Sequence, residues 1–254
     1  MTMPSPDATS RVGMLATRLA GYATPERALF RCRQTFLGVD LEGKQVLEIG
    51  AGAGVFSAYA AAAGARHVVA LEPEAAGSTA VAASAIQAMR QELGAAHFEV
   101  RAETVQNYDS QGRFFDVVLL YNSINHLDEG ACMALGHGEE ARAAYRALFD
   151  RIARMMGRGA RLIIADCSRH NFFGMLGLRG PLAGSVEWSK HQAPRTWARL
   201  LEPLGFVRER LDWYTFHPLR HLGCLAANAV VSFFLSSHFR LVMRYEGRPQ
   251  GHFA

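Results

Sequence analysis

The chain has 254 residues, half of them apolar, a formal charge of +4 and a pI of about 9.0. That length and apolar fraction suit one globular domain with a sizeable core, or such a domain carrying an elaborated cap. The positive excess is modest and the arginines are scattered, which excludes a basic stripe of the kind nucleic-acid partners need. Cys32, Cys132, Cys167 and Cys224 lie far apart with no C-x-x-C pair. They read as free thiols of a reducing compartment, which excludes a zinc site or a disulfide frame. The first ten residues are polar, carry two prolines and lack a signal-peptide core, so a cytoplasmic location is expected.

In chain order, residues 1–10 read as disordered, and Arg11 to Gly21 and Pro25 to Leu37 as two helices. Thr24 is an N-cap, Pro25 sits at the first helical position and Glu26 in the first turn. Val46, Leu47 and Ile49 form a short apolar run typical of a strand covered on both faces. Gly50, Gly52 and Gly54 then allow a sharp turn and close approach to a ligand. Val55 to Gly64 is an alanine-rich helix, and Val68 to Leu71 a second strand ending at Glu72. Glu74 to Gly94 is a helix and His97 to Arg101 a third strand. A polar turn, Asp109 to Gly112, precedes a fourth strand, Phe115 to Tyr121. Glu139 to Met156 is a long helix, Gly157-Arg158-Gly159 its stop and turn, and Ala160 to Ala165 a fifth strand.

The rhythm changes after that. Cys167 to Pro194 is long, rich in glycine and aromatics, and weakly periodic, as lids and binding segments are. Thr196 to Leu204 is a short helix. Val207 to Thr215 alternates like an exposed edge strand, and His238 to Tyr245 alternates again. Leu222 to Leu235 is an apolar stretch shorter than the ~18–20 residues a membrane span needs. It reads as a buried helix or a lid over an apolar pocket, and could equally bury itself at a homodimer contact.

Five strand–helix alternations within residues 44–166 imply an α/β fold: a parallel sheet with helices on both faces. Ligands of such sheets bind at the carboxyl ends of the strands. Gly50 to Gly54, Glu72, Glu103, Tyr121, Asn122 and Asp166 all fall at those ends. Glu72 stands about twenty residues past the glycines, where an acid can accept hydrogen bonds from both hydroxyls of a ribose. The unit is built to hold a nucleoside-containing cofactor.

Glu48-Ile-Gly50-Ala-Gly52-Ala-Gly54 has the form E-x-G-x-G-x-G, not the G-x-G-x-x-G of dinucleotide folds. It resembles motif I of the class I methyltransferases that use S-adenosylmethionine. The resemblance covers 44–166 with good motif support and 196–246 with weaker support. It implies a seven-stranded Rossmann-like sheet with the last strand antiparallel. Residues 1–43 would be an N-terminal helical extension, 44–246 the methyltransferase domain and 247–254 a tail. Segments 167–195 and 216–237 would be caps, after strand five and between strands six and seven, that shape the substrate pocket. By the same resemblance Glu48, Gly50, Gly52 and Gly54 surround the methionine and ribose, and Glu72 takes the ribose hydroxyls. Tyr121 and Asn122 face the methyl group. The family often places an acid directly after strand three to contact the adenine. Here Arg101 stands in that place, and Glu103 or the backbone at Ala102 would substitute.

Methyl transfer from a sulfonium is an in-line displacement, so the protein must align the acceptor, exclude water and in some cases remove a proton. Histidine is the natural base near neutral pH. His126, after strand four, and His191, in the charged and aromatic run Glu187 to Pro194, are the first candidates, with His170 a third. Trp188, Phe172, Phe173 and Trp213 could form an apolar wall. Asp166 is followed by Cys167 and Ser168, unlike the magnesium-binding catechol enzymes, and no ligand spacing points to a metal. Tyr121-Asn-Ser-Ile-Asn-His126 lacks the prolines of the motif used on DNA bases. The expectation is methyl transfer to oxygen, nitrogen or carbon of a small, partly apolar molecule, without nucleic acid or a transmembrane segment. Two alternatives share these residues: an NAD-type oxidoreductase, and a non-catalytic binding or scaffold protein on the same sheet.

Overall fold

In the computed structural model the described residues are 6–73, 79–178, 186–214 and 227–248. The seven strands take the order β3-β2-β1-β4-β5-β7-β6. They are β1 Gln45–Ile49, β2 His67–Leu71, β3 Phe98–Arg101, β4 Phe115–Tyr121, β5 Met156–Cys167, β6 Phe206–Trp213 and β7 His238–Tyr245. β7 runs antiparallel to both β5 and β6. The chain divides into two compact units, Met1–Tyr121 and Asn122–Ala254.

The first unit holds α1 Pro6–Leu19, α2 Pro25–Thr35, α3 Val55–Ala62 and α4 Thr79–Leu93 with β1 to β4. β1 pairs in parallel with β2 (Val46 opposite Val68) and with β4 (Val46 opposite Val117), and β2 with β3. Val46, Leu47, Ile49 and Val68 to Leu71 are all buried, as strands covered on both faces must be. α2 starts as its sequence foretells: Thr24 Oγ1 accepts the Arg27 amide and Pro25 opens the helix. α1 packs closely on α2 at Gly13, where a Cβ would lie 3.0 Å from Leu29 Cγ. α1 begins at Pro6, so residues 6–10 are helical where composition suggests disorder. Proline at the first turn is compatible with a helix start, and Val12, Leu15 and Ala16 bury one face.

The second unit holds α5 Glu129–Ala134, α6 Glu139–Arg154, α7 Phe172–Met175, α8 Pro194–Leu201 and α9 Ala229–Phe234 with β5 to β7. Trp197 of α8, fully buried, meets Tyr145 and Phe149 of α6 at ring distances of 5.1 and 6.0 Å. That contact fixes the start of α8, directly after the His191 run.

Gly157-Arg158-Gly159 is not a turn. α6 stops at Arg154, and β5 starts at Met156 and runs twelve residues through both glycines. The Met155 amide closes the helix on Ile152 O, so no glycine is needed there. The apolar stretch 222–235 lies partly outside the described residues. Its described part is not a buried helix: α9 is six residues long and exposes Val230 and Phe234. No helix among the described residues is long and apolar enough to cross a membrane.

Candidate functional site

The glycine turn follows β1. Gly50, Gly52 and Gly54 take φ of +72°, +53° and +75°, a region that side chains with a Cβ rarely adopt. The Gly50 and Ala51 amides both donate to Leu71 O, which ties the turn to the end of β2. Around Gly52 a Cβ would meet nothing within 4 Å, so this backbone is open to a ligand. At Gly54 a Cβ would lie 2.4 Å from Ile86 Cγ1, so that glycine is required by the packing of α4.

Gly54 is also the N-cap of α3 and has no side chain to cap with. Glu48 supplies the missing acceptor from the strand: its Oε2 takes the Ser57 amide at 2.8 Å and the Ser57 hydroxyl as well. The carboxyl is fully buried, and burial pushes its pKa up to about 8. The Ser57 hydrogen bonds work against that rise, and the nearby Glu72 charge adds to it.

Glu72 follows β2 and is 7% exposed. Its Oε2 accepts the Gly52 amide at 2.6 Å, while Oε1 has no hydrogen-bond partner among the described residues. Burial raises its pKa above the usual carboxylate range, against the Gly52 hydrogen bond. A buried carboxylate with a spare oxygen beside an open glycine backbone suits a ligand that brings hydroxyl donors. At the end of β3, the Arg101 carbonyl accepts the Glu72 amide, and the Arg101 side chain pairs with Glu99. Arg101 is thereby engaged with its own strand, and Glu103, half-buried, lies two residues further on. Tyr121, at the end of β4, packs against Phe56 with ring centroids 4.1 Å apart and planes tilted by 32°, and its hydroxyl accepts a hydrogen bond from Arg31 of α2 at 2.7 Å. Nothing in the sequence motif points to that α2 contact.

The second unit opens at Asn122, which takes φ +50°. Its amide donates to Ala165 O of β5, and its Oδ1 lies 2.9 Å from His238 Nε2 at the start of β7. His126 sits in a 3₁₀ turn, 58% exposed, with Nδ1 2.7 Å from Glu129 Oε1. His170 is exposed, and its carbonyl accepts from Ser237 Oγ.

His191 is different. It is largely buried, and its Nδ1 lies 3.0 Å from Oδ1 of Asp166, a fully buried residue near the end of β5. A carboxylate can only accept, so Nδ1 carries the hydrogen, and in the neutral ring Nε2 then has the lone pair. The flanking residues are fixed from both sides. Lys190 pairs with Glu129 and Glu187, and its carbonyl accepts the Cys132 thiol. Gln192 Nε2 donates to Cys132 O at 2.6 Å. Asp166 Oδ2 is buried and has no partner among the described residues.

Of the proposed aromatic wall, Phe172 and Phe173 meet edge to face. Trp188 closes over Gly174, where a Cβ would lie 2.6 Å from its ring, and Trp213 packs on Phe239. Asn171, between His170 and Phe172 in that third candidate group, has a structural role. It is fully buried, caps α7 through Oδ1, and donates through Nδ2 to Phe233 O, Leu235 O and Ser237 Oγ.

A family model described as a methyltransferase domain matches residues 22–229, most of the chain. The chain belongs to the class I S-adenosylmethionine-dependent methyltransferases. No curated protein sequence matches this methyltransferase at a significant level. Solved structures share its fold. An S-adenosylmethionine-dependent methyltransferase from Mesorhizobium loti is 13% identical with a TM-score of 0.58, over 85% of this chain and 97% of that one. Magnesium protoporphyrin IX methyltransferase from Synechocystis, with S-adenosylmethionine bound, is 16% identical with a TM-score of 0.53, over 92% and 81%. The N-methyltransferase NodS from Bradyrhizobium japonicum is 12% identical with a TM-score of 0.54, over 88% and 96%. The methyltransferase's cofactor is S-adenosylmethionine. Glu72's spare oxygen and the open backbone at Gly52 fit its ribose and its close approach. This answers the two alternatives: the protein is an enzyme of the methyl-transfer class.

Proposed function

We propose that this methyltransferase acts on a small, partly apolar molecule by direct displacement at oxygen, nitrogen or carbon, with His191 as the general base. The observation that carries this reading is the Asp166–His191 pair, 3.0 Å apart, with Asp166 fully buried and His191 largely so. Asp166 orients the ring, and Nε2 accepts the proton of an acceptor hydroxyl, amine or activated carbon as the methyl group arrives. His126 is the weaker choice because its Nδ1 is paired with Glu129 at the surface, where water competes for any proton.

S-adenosylmethionine supplies an electrophilic methyl group on a cationic sulfur. The chain's part is to hold that cofactor through Glu48, Gly50, Gly52, Gly54, Glu72, Glu103, Tyr121 and Asn122. Glu72 takes the ribose hydroxyls through its spare oxygen. Glu48 keeps the glycine turn and the start of α3 in one geometry, so its role runs through Ser57 as well as any direct contact. Tyr121, packed against Phe56 and held by Arg31, forms an aromatic wall at the end of β4. Small-molecule acceptors are favoured by the large accessory fraction of the chain and by the absence of a basic stripe in its sequence.

The test is to incubate the protein with methyl-labelled cofactor and fractionated small-molecule extracts, with His191→Gln in parallel. Label should enter an organic-soluble small molecule, and the variant should lose about 100-fold or more in rate. Label confined to nucleic acid or protein would sink the reading.

A further inference from the structure

Arg169 is tied to the Asp166–His191 pair through both segments that build it. It follows Asp166-Cys167-Ser168 at the end of β5, and its Nη1 lies 3.5 Å from Oε1 of Gln192, the residue after His191. Gln192 is 2% exposed, and its Nε2 donates to Cys132 O at 2.6 Å, so the carboxamide is fixed with its oxygen towards Arg169. The turn after α5 borders the same guanidinium: a Cβ on Gly136 would lie 3.9 Å from Nη1. Asp166 and Arg169 both act on Cys132. Burial pushes that thiol up to about 12, Asp166 adds to the rise and Arg169 opposes it.

Cations nearby are neutralised. Lys190 meets Glu129 and Glu187, and Arg142, which donates to Leu135 O beside the same turn, meets Glu139. In the same unit Arg161 meets Glu209, and the buried Arg240 meets Asp212. Arg169 is half-buried, and no carboxylate pairs with it among the described residues. Partial burial costs a guanidinium hydration, and one carboxamide oxygen at the long limit of a hydrogen bond offsets little of that. The fork of N–H donors matches a carboxylate or a phosphate, either of which it can hold by two parallel hydrogen bonds.

We propose that Arg169 binds an anionic group of the methyl acceptor, a carboxylate or a phosphate, and so sets the acceptor beside His191. Placed there, the anion narrows the small, partly apolar class of acceptor, and its role rests on the reading of His191 as the base.

The experiment separates a small-molecule extract on an anion-exchange resin into a retained and an unretained fraction. Each is incubated with methyl-labelled cofactor and the full chain, as wild type, Arg169→Gln or Arg169→Lys, with S-adenosylhomocysteine affinity as the check on folding. Label is expected in the retained fraction. Arg169→Gln should need at least about tenfold more of that fraction for half its maximal rate, with the maximal rate and S-adenosylhomocysteine affinity changed much less. Arg169→Lys should recover part of the loss, because it keeps the charge without the fork. Phosphatase treatment of the retained fraction beforehand abolishes labelling if the anion is a phosphate and leaves it if the anion is a carboxylate. Label only in unretained small molecules, or unchanged half-saturation in Arg169→Gln, would overturn the proposal and leave the methyl-transfer reading standing. A fall in maximal rate alone would also overturn it, because Arg169 would then act only as a support for Gln192 and the His191 run. Label in no small molecule of either fraction would instead defeat the small-molecule reading itself.

Discussion

Glu48 Oε2 accepts the Ser57 amide at 2.8 Å, so a carboxyl group on β1 caps α3 from nine residues upstream. The helix needs this because its own N-cap is Gly54. One residue therefore serves the strand, the glycine turn and the helix at once, and does so from a fully buried position.

That burial makes stability depend on pH. Glu48 is pushed up to about 8 in the folded chain from an ordinary 4.5. A raised folded-state value means that the contribution is fully present below about pH 4.5 and is lost as pH rises towards 8. The slope in that window is about 1.4 kcal/mol per pH unit from this group. Glu48→Gln should flatten the slope between pH 5 and 8, measured by urea unfolding of the cofactor-free protein, while keeping the Ser57 amide bonded. An unchanged slope would mean that Glu48 is already ionised near neutrality.

The glycines of the turn separate into structural and ligand-facing positions. Gly54→Ala places a Cβ 2.4 Å from Ile86 at φ +75° and should cost about 2–5 kcal/mol of stability. Gly52→Ala meets no neighbour and carries only the backbone strain, about 1–2 kcal/mol. It should instead weaken S-adenosylhomocysteine binding out of proportion to that cost. Denaturation and calorimetry on the two variants check the pair.

Asp166→Asn should lower the rate of methyl transfer roughly 10- to 100-fold while leaving S-adenosylhomocysteine affinity unchanged. Asn can still meet the ring, but its amide can turn a donor towards Nδ1 and favour the wrong tautomer. Steady-state rates across pH, once an acceptor is found, would show the acidic limb moved as well as the plateau lowered. A merely structural role for Asp166 would lower stability without moving the limb.

Much of the frame was legible in the chain. The β1–turn–α3–β2 unit has short apolar runs, glycines where φ is positive, and an acid at the strand end, and the structure reproduces each within two or so residues. β6, exposed along most of its first half, is the edge strand, and β7, buried on both faces, sits inside it. What was not legible depends on contacts between distant segments. Ser57 looks like any helix residue until Glu48 is placed beside it. Asp166 and His191 are 25 residues apart, joined by a run with no periodicity to fold on paper. Gly157 and Gly159 carry turn signals that the pairing of β5 with β7 overrides. Asn171 is one polar residue in an aromatic run, and its five hydrogen bonds reach elements more than 60 residues away as well as its own helix.

The central claim is that a glycine turn closed by Glu72 holds S-adenosylmethionine, and calorimetric titration with S-adenosylhomocysteine on wild type and Glu72→Ala tests it most directly. Micromolar wild-type binding that weakens by about 1.5–3 kcal/mol in the variant, roughly tenfold to over a hundredfold, is the expected result. No binding to folded wild type, or equal binding by the two proteins, would contradict the account.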